Sequence, residues 1–548
     1  MSGLGRGRWW AGVLGLALLL SCEGDDSLQQ PPAVDDGIDE GTEPPPPTQP
    51  EDPPPPDEGD PPPVGGEEPD AGPPPVDPDA GIPPDNGPVG GGVPIPPDSA
   101  SWRFLGTAEG GPREVLGVTQ DEGGNIWVAG GEDGLCLLAP GAASLRCYTM
   151  ADGLKPWAPW KGKDPAPETR YLKVLSVTGG PAGTVFVGYE GRPNCESEFY
   201  KAPGVGVVKD PTIFKSGDAD RVELQADGTL RVVHYDIHSP AHSVPGYGHR
   251  EKLCTVNRIV WDKARNSLWF ASNHGLAWGE PDYQGGETCS SAEVLAANEW
   301  VYAGTEKRQR CKFGVMEHVH PAIAMGDSTT SEDSRLAGDV WGVAVRPDGD
   351  VWLGSHIRTT RFKIMTNAVG HVGTGAPWNF EAARKQSEEK KHRANRIDLW
   401  PDAVAEPLFP THEQRKDDLV SDLALMGDGT VWVSSFAWGL AKMNDAGVVT
   451  GYHLAGESDR NVSSLERDPR DGSLWIGHRW GKGLMRMHAE GEFVSHNPAL
   501  GGRGALPVWD IQAVGSGDAR KVLVAFSAQR DAAGNIVRPG GIGIYSGK

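Results

Sequence analysis

From Val115 onward the chain repeats one arrangement of apolar and polar positions. Each unit opens with an aliphatic residue and a second one three places later: "VLGV" at 115, "LKVL" at 172, "VNRI" at 256, "VWGV" at 340, "VSDL" at 420, "VSSL" at 462 and "VWDI" at 508. About ten residues on, an aromatic anchor sits inside a short apolar run. The runs are "GNIWVAGGEDGL" from Gly124, "GTVFVGYEG" from Gly183, "NSLWFASNHGL" from Asn266, "GDVWLGS" from Gly349, "GTVWVSSFAWGL" from Gly429 and "GSLWIGHRWGKGL" from Gly472. "KVLVAFS" from Lys521 is a seventh, degenerate copy. Asp, Asn and Gly gather between the paired runs, the composition of a tight turn joining antiparallel strands.

Each unit predicts a strand, a turn, a strand with a buried ring, a loop, a Gly-Leu strand and an outer strand. Four short strands recurring every 40 residues or so are the signature of a β-propeller. The expected fold is all-β: a seven-bladed propeller over 101–548 with four-stranded blades. The anchor ring is large enough to fill the wedge between neighbouring blades. Trp432 and Trp475 stand 43 residues apart, whereas Trp269 and Trp352 stand 83 apart, so blades two to four carry insertions. The last unit, ending "GIGIYSGK", is one strand short, while "SWRFLG" at 101–106 reads as an outer strand without a blade. Pairing the two would close the ring and remove an exposed edge.

Before residue 101 the pattern changes. Arg6 and Arg8 precede an apolar run, Trp9 to Leu20, too short to span a bilayer as a stable helix, and "LLSC" ends it at Cys22. This resembles a bacterial lipobox, which makes 1–21 a lipoprotein signal peptide and Cys22 the lipidated residue. Residues 23–100 hold 25 of the 48 prolines, 20 acidic residues and no Lys, Arg or aromatic residue. Such a segment cannot bury enough apolar surface to offset its ordering entropy, so 22–100 is expected to be a disordered acidic tether. At about 3.1 Å per residue in polyproline geometry its limiting reach is on the order of 200 Å. Much of the formal charge of −24 belongs to it, since 101–548 hold 49 basic against 55 acidic residues. No basic stripe points to nucleic acid. No other stretch reaches membrane-spanning length, so the expected membrane contact is the lipid at Cys22 and the expected address is the cell envelope, at the outer membrane.

Export implies an oxidising compartment. In "LCLLAPGAASLRCY" a hairpin centred between Gly141 and Ala142 places Cys136 opposite Cys147, at disulfide distance. Cys195–Cys254 and Cys289–Cys311 are the remaining pairs expected, each stapling an inserted segment, among 15 pairings that sequence alone allows. Zinc is the rival reading, but no Cys-x-x-Cys occurs.

The phrase D-G-x-L-W-[IV]-G-x-x-x-G-L after an aliphatic pair, together with "MADGL" at 150–154, resembles the two-component-regulator propeller repeat. The resemblance covers roughly residues 101–548 and is strongest in blades one, five and six. It implies an extracytoplasmic sensor that binds ligands, often glycans, on one propeller face. No kinase or cyclase segment accompanies the repeats here, so sensing or binding is expected without signalling by the chain itself.

Such a face is built from loops entering the first strand and loops joining the second to the third. The first set offers Lys173, Asn257, Arg258, Trp341, Asp422, Ser463, Trp509 and Asp510. The second offers Glu132, Asp133, Tyr189, Glu190, Arg192, Asn273, His274, His356, Arg358, Phe436, Trp438, His478, Arg479 and Trp480. Aromatic rings beside polar donors suit a sugar or a protein anchor, and the ligand-binding face is expected at His274, His356, His478, Trp341, Asp422, Trp438, Trp480, Trp509 and Asp510. The three histidines follow their anchors by five, four and three residues, which is not an equivalent set, so no metal, cofactor or catalytic residue is expected. "FEAARKQSEEKKHRANR" at 380–396 reads as a solvated helix. The expectation is a monomeric binding propeller for a glycan or envelope protein. Two alternatives stay open: a lyase or hydrolase on an extracellular polymer, as in the streptogramin-lyase-like propellers it distantly resembles, and a structural component of the envelope.

Overall fold

The computed structural model describes residues 101–547 except 158–163, 192–198, 203–205, 210–215, 236, 238–253, 274, 285–314, 320–321, 324–338, 358–365, 373–392, 401–418, 454–460 and 480–481. All belong to one compact unit, Pro75–Lys548. The turns sit where the sequence places them. Gly124, Gly183, Gly349, Gly429 and Gly472 have φ between 76° and 98°, a region that side chains with a Cβ avoid.

Among the described residues, six antiparallel sheets have four strands each, a further sheet has five, and two small sheets have two. The inner strands are Gly117–Gln120, Val174–Gly179, Val256–Asp262, Val340–Val345, Val420–Leu425, Val462–Arg467 and Val508–Val514; each packs on the next, and the last packs on the first. The fold is therefore an all-β propeller. Trp102–Leu105 is the outermost strand of the last sheet, antiparallel to Gly541–Tyr545, with Trp102 opposite Tyr545 and Leu105 opposite Ile542. The ring is closed by the N-terminal strand, as expected.

Two expectations need correction. The second unit opens at Val174, not Leu172: its aliphatic pair is Val174 and Val177. The charged helix is wrong where it can be seen. Arg393–Asp398 is a strand, antiparallel to Thr366–Val372 and parallel to Ala322–Ile323, so sheet pairing overrides the helix propensity of the Lys/Glu-rich run. Residues 380–392 of that segment lie outside the described residues.

Six of the seven inner strands, all but Gly117–Gln120, carry a β-bulge. Register slips between Val174 and Ser176, Val256 and Arg258, Val340 and Gly342, Val420 and Asp422, Val462 and Ser464, and Val508 and Asp510. The residue after each bulge faces a small one on the second strand: Ser176 faces Gly188, Arg258 Ala271, Gly342 Gly354, Asp422 Ser434, Ser464 Gly477 and Asp510 Ala525. The neighbouring sheet demands this smallness. A Cβ on Gly188 would lie 2.8 Å from Val256 Cγ1, and one on Gly354 would collide with Val420.

The anchor rings lie on the aliphatic pair of the following sheet. Trp127 packs with Val174 and Val177, Phe186 with Val256 and Ile259, Trp352 with Val420 and Leu423, Trp432 with Val462 and Leu465, and Trp475 with Val508 and Ile511. Each buried ring contributes about 5 kcal/mol of apolar burial, as an upper figure. The indole N–H of Trp127 donates to Asp121 (2.9 Å) and that of Trp475 to Asp468 (3.0 Å), so both polar atoms stay satisfied in the wedge. Cys136 and Cys147 face each other on adjacent strands and form a disulfide. Cys254 is also disulfide-bonded, while Cys195, Cys289 and Cys311 lie outside the described residues.

Candidate functional site

The bulges turn side chains, most of them polar, toward the ring axis, where the inner strands surround a cavity of about 420 Å³. Many of these groups first serve the ring by bonding to the next sheet. Ser176 donates to the Val256 carbonyl (3.0 Å), Asn257 to Val340 (3.1 Å) and Ser421 to Val462 (2.6 Å). Carboxylates do the same as acceptors: Asp422 from the Leu465 N–H (2.8 Å), Glu466 from Ala513 (3.1 Å) and Asp510 from Val118 (3.0 Å). Buried backbone groups that no strand pairs are satisfied in this way.

At the mouth, three rings meet. Trp341 lies edge-on to Phe436 at 5.3 Å and to Trp509 at 6.1 Å, and Phe436 and Trp509 are 6.4 Å apart. Trp341 and Trp509 occupy bulge positions, which explains their departure from the strand pleat. Phe436 comes from the loop after Val431–Ser435. The Arg479 guanidinium covers Phe436 at 4.6 Å and Trp509 at 5.1 Å.

Beneath the rings, Arg258 Nη1 lies 3.0 Å from Asp422 Oδ2. Burial pushes Asp510 up to about 6 and Glu466 up to about 8, against the pull of Arg258. Burial raises Asp422 as well, with Arg258 and the Leu465 N–H opposing it. Burial also works against the Arg258 charge, but Asp422, Asp510 and Glu466 outweigh it and hold the guanidinium above its ordinary value. A ring-lined mouth above three carboxylates and one guanidinium can bind a polar or charged ligand and exchange protons with it.

Trp341, Asp422, Trp509 and Asp510 thus come together around one cavity. His274 and Trp480 lie outside the described residues, and for His356 only the backbone, in strand Val351–Ile357, is described. Two residues leave the face. Trp438 is fully buried, 5.4 Å from the Trp400 ring, because a three-residue turn after Ser435 folds it back into the wedge. His478 is fully buried with Nδ1 3.2 Å from the Gly483 carbonyl, and burial pushes it down to about 4. Strand parity explains this: Leu474, Ile476 and His478 alternate onto one side, and that side faces the preceding sheet. Glu466 was missed, although strand parity puts it on the side of Ser464, the residue after the bulge, whose hydroxyl lies 3.3 Å from Asp422 Oδ2. Among the described residues, no group of three or more His, Cys, Asp or Glu is arranged to hold a metal ion.

No protein-family model and no curated protein sequence matches the chain. Among solved structures, the chain is similar to YCF48 from Cyanidioschyzon merolae, with 10% identity, 81% of this chain and 99% of that one covered, and a TM-score of 0.41. It is also similar to Saccharomyces cerevisiae Sqt1, with 11% identity, 82% and 99% covered, and a TM-score of 0.37.

Proposed function

We propose that this chain is an exported, lipid-anchored binding protein whose propeller takes an extracellular ligand or protein partner on the face where Trp341, Phe436 and Trp509 meet. The carrying observation is that meeting of three rings at the mouth of a cavity of about 420 Å³. Half-buried rings in a concave polar setting suit binding, because they lose little conformational entropy when a ligand covers them. The reading counts the five-stranded sheet as a blade with an added strand, which makes seven blades. It keeps the resemblance to two-component-regulator propellers as its reason for a sensing or binding role. It takes the lipobox at Cys22 and the proline-rich segment as anchor and tether in the cell envelope. The rival enzyme reading loses one of its three histidines, since His478 is in the core.

The test is a thermal-shift and binding screen of the full-length chain against bacterial and plant glycans and isolated envelope proteins, with Trp509→Ala beside it. A ligand whose stabilisation disappears in the variant supports the binding face. A ligand that binds both proteins alike moves the site elsewhere. For the anchor, lipid labelling should be lost in Cys22→Ala, and equal labelling of both proteins would remove it.

A further inference from the structure

We infer that the ligand presents a basic side chain, a lysine or arginine of a peptide segment, which passes the rings of Trp341 and Trp509 to reach Asp510 and Glu466. This rests on the binding-face reading above and names its ligand class.

Charge comes first. Asp422 is matched by Arg258, but Asp510 and Glu466 have no ion-pair partner among the described residues. The other arginine lining the cavity, Arg467, ends the inner strand Val462–Arg467 on the side away from the mouth, and it is exposed. Arg258 acts on both from a distance, and a cation between Asp510 and Glu466 would add to that attraction without displacing the Arg258–Asp422 pair.

The mouth supplies two independent features. Its rings already hold a guanidinium, that of Arg479, over Phe436 and Trp509, so the surface has the geometry of cation–π contact. The Trp341 indole N–H is shielded from solvent and has no acceptor among the described residues. The indoles of Trp102, Trp261 and Trp400 also lack an acceptor among the described residues, but that of Trp341 is the one beside the cavity, where a peptide carbonyl would satisfy it. Depth then favours a slender group. From Trp509 to Gln512 the wall descends three residues, about 10 Å at roughly 3.3 Å per residue, close to an extended lysine or arginine and its backbone.

Proton linkage should accompany binding. Without ligand, burial leaves Glu466 near 8 and Asp510 near 6, so near neutral pH the site holds protons that a bound cation would displace. With Glu466 ionised about 1% at pH 6 and about half at pH 8, affinity should tighten by about tenfold or more across that interval.

The experiment titrates the full-length chain with the tripeptides Gly-Lys-Gly and Gly-Arg-Gly, with the neutral isostere Gly-norleucine-Gly and with glucosamine, following tryptophan fluorescence and heat at pH 6 and 8. Expected is binding of the basic peptides at least about tenfold tighter than the isostere, proton release, and tightening from pH 6 to 8. Glu466→Gln and Asp510→Asn, which keep an oxygen for the Ala513 and Val118 N–H groups, should each lose about tenfold while retaining the folded spectrum. Trp341→Phe should weaken binding with no change in the pH slope. Equal affinity for the isostere, or affinity flat between pH 6 and 8, overturns the inference. So does a neutral glycan or glucosamine that binds in preference and is lost in Trp509→Ala, although that result keeps the binding face. If no ligand of any class responds to Trp509→Ala, both fail.

Discussion

Arg258 and Asp422 meet across the channel at 3.0 Å, although the inner strand Val340–Val345 stands between theirs in the ring. The pair is a chord: it ties two sheets that are not neighbours, inside a cavity where water screens poorly. Asp422 is 2% exposed, so losing its partner leaves a buried charge.

Arg258→Met should cost about 3–5 kcal/mol in denaturant unfolding, the usual penalty for orphaning a buried charge. Arg258→Met with Asp422→Asn should recover about half of that, because the amide carries no charge to strand. Strict additivity of the two single changes would show that the pair is not coupled.

The small residue two places after each anchor should be equally testable. Gly354→Ala drives a methyl into Val420 and should cost about 1–3 kcal/mol. Gly451→Ala, where a Cβ meets nothing within 4 Å, should change stability by less than about 0.5 kcal/mol. Unfolding curves that fail to separate the two variants would remove the packing argument.

Acid and alkaline limbs of stability should trace to different residues. His478 is held neutral down to about 4 while the unfolded imidazole takes a proton near 6.5. Its contribution is therefore complete above 6.5 and falls away toward pH 4, by about 3 kcal/mol at most. Glu466 runs the other way. Held near 8 against an ordinary 4.5, it costs nothing below 4.5 and progressively more as pH rises to 8. His478→Gln should flatten the first limb and Glu466→Gln the second, and a profile in which neither variant changes its own limb contradicts the assignment.

The disulfide closes a short loop, with 11 residues of separation between Cys136 and Cys147. Replacing both by Ser should cost about 3 kcal/mol on loop entropy alone. Wild type and the double variant should melt alike when both are in reductant, which opens the Cys254 disulfide in both, and a difference that persists there would show that the serines act otherwise than by removing the bridge.

Much of the fold was legible in the sequence because a propeller repeats its demands. The aliphatic pair, the anchor ring and the small residue after it are three faces of one contact, the anchor of one sheet on the opening strand of the next. The unit at 172 misled because Leu172 and Leu175 keep the same three-residue spacing as Val174 and Val177, and only the bulge before Ser176 separates the two registers. The site was legible in part. Trp341, Asp422, Trp509 and Asp510 stand at or just after a bulge, at a fixed place from the opening valine, so they could be found by position. Trp438 and His478 could not be found by loop membership alone, since a tight turn and strand parity returned them to the core. Glu466 escaped because its role depends on a channel that appears only once the ring is closed.

Closure by Trp102–Leu105 also has a mechanical side. Tension arriving through the residues before Ser101 enters the propeller at a strand of four residues whose partners are Ile542 to Tyr545. A pull along that strand loads the four pairs together, in shear, whereas a sideways pull opens them one after another. Trp102, tilted against Tyr545 with ring centroids 4.9 Å apart, is the first ring such a force would draw out of the last wedge. The strand that completes the ring is thus also the fuse through which a pull on the chain before Ser101 would release it.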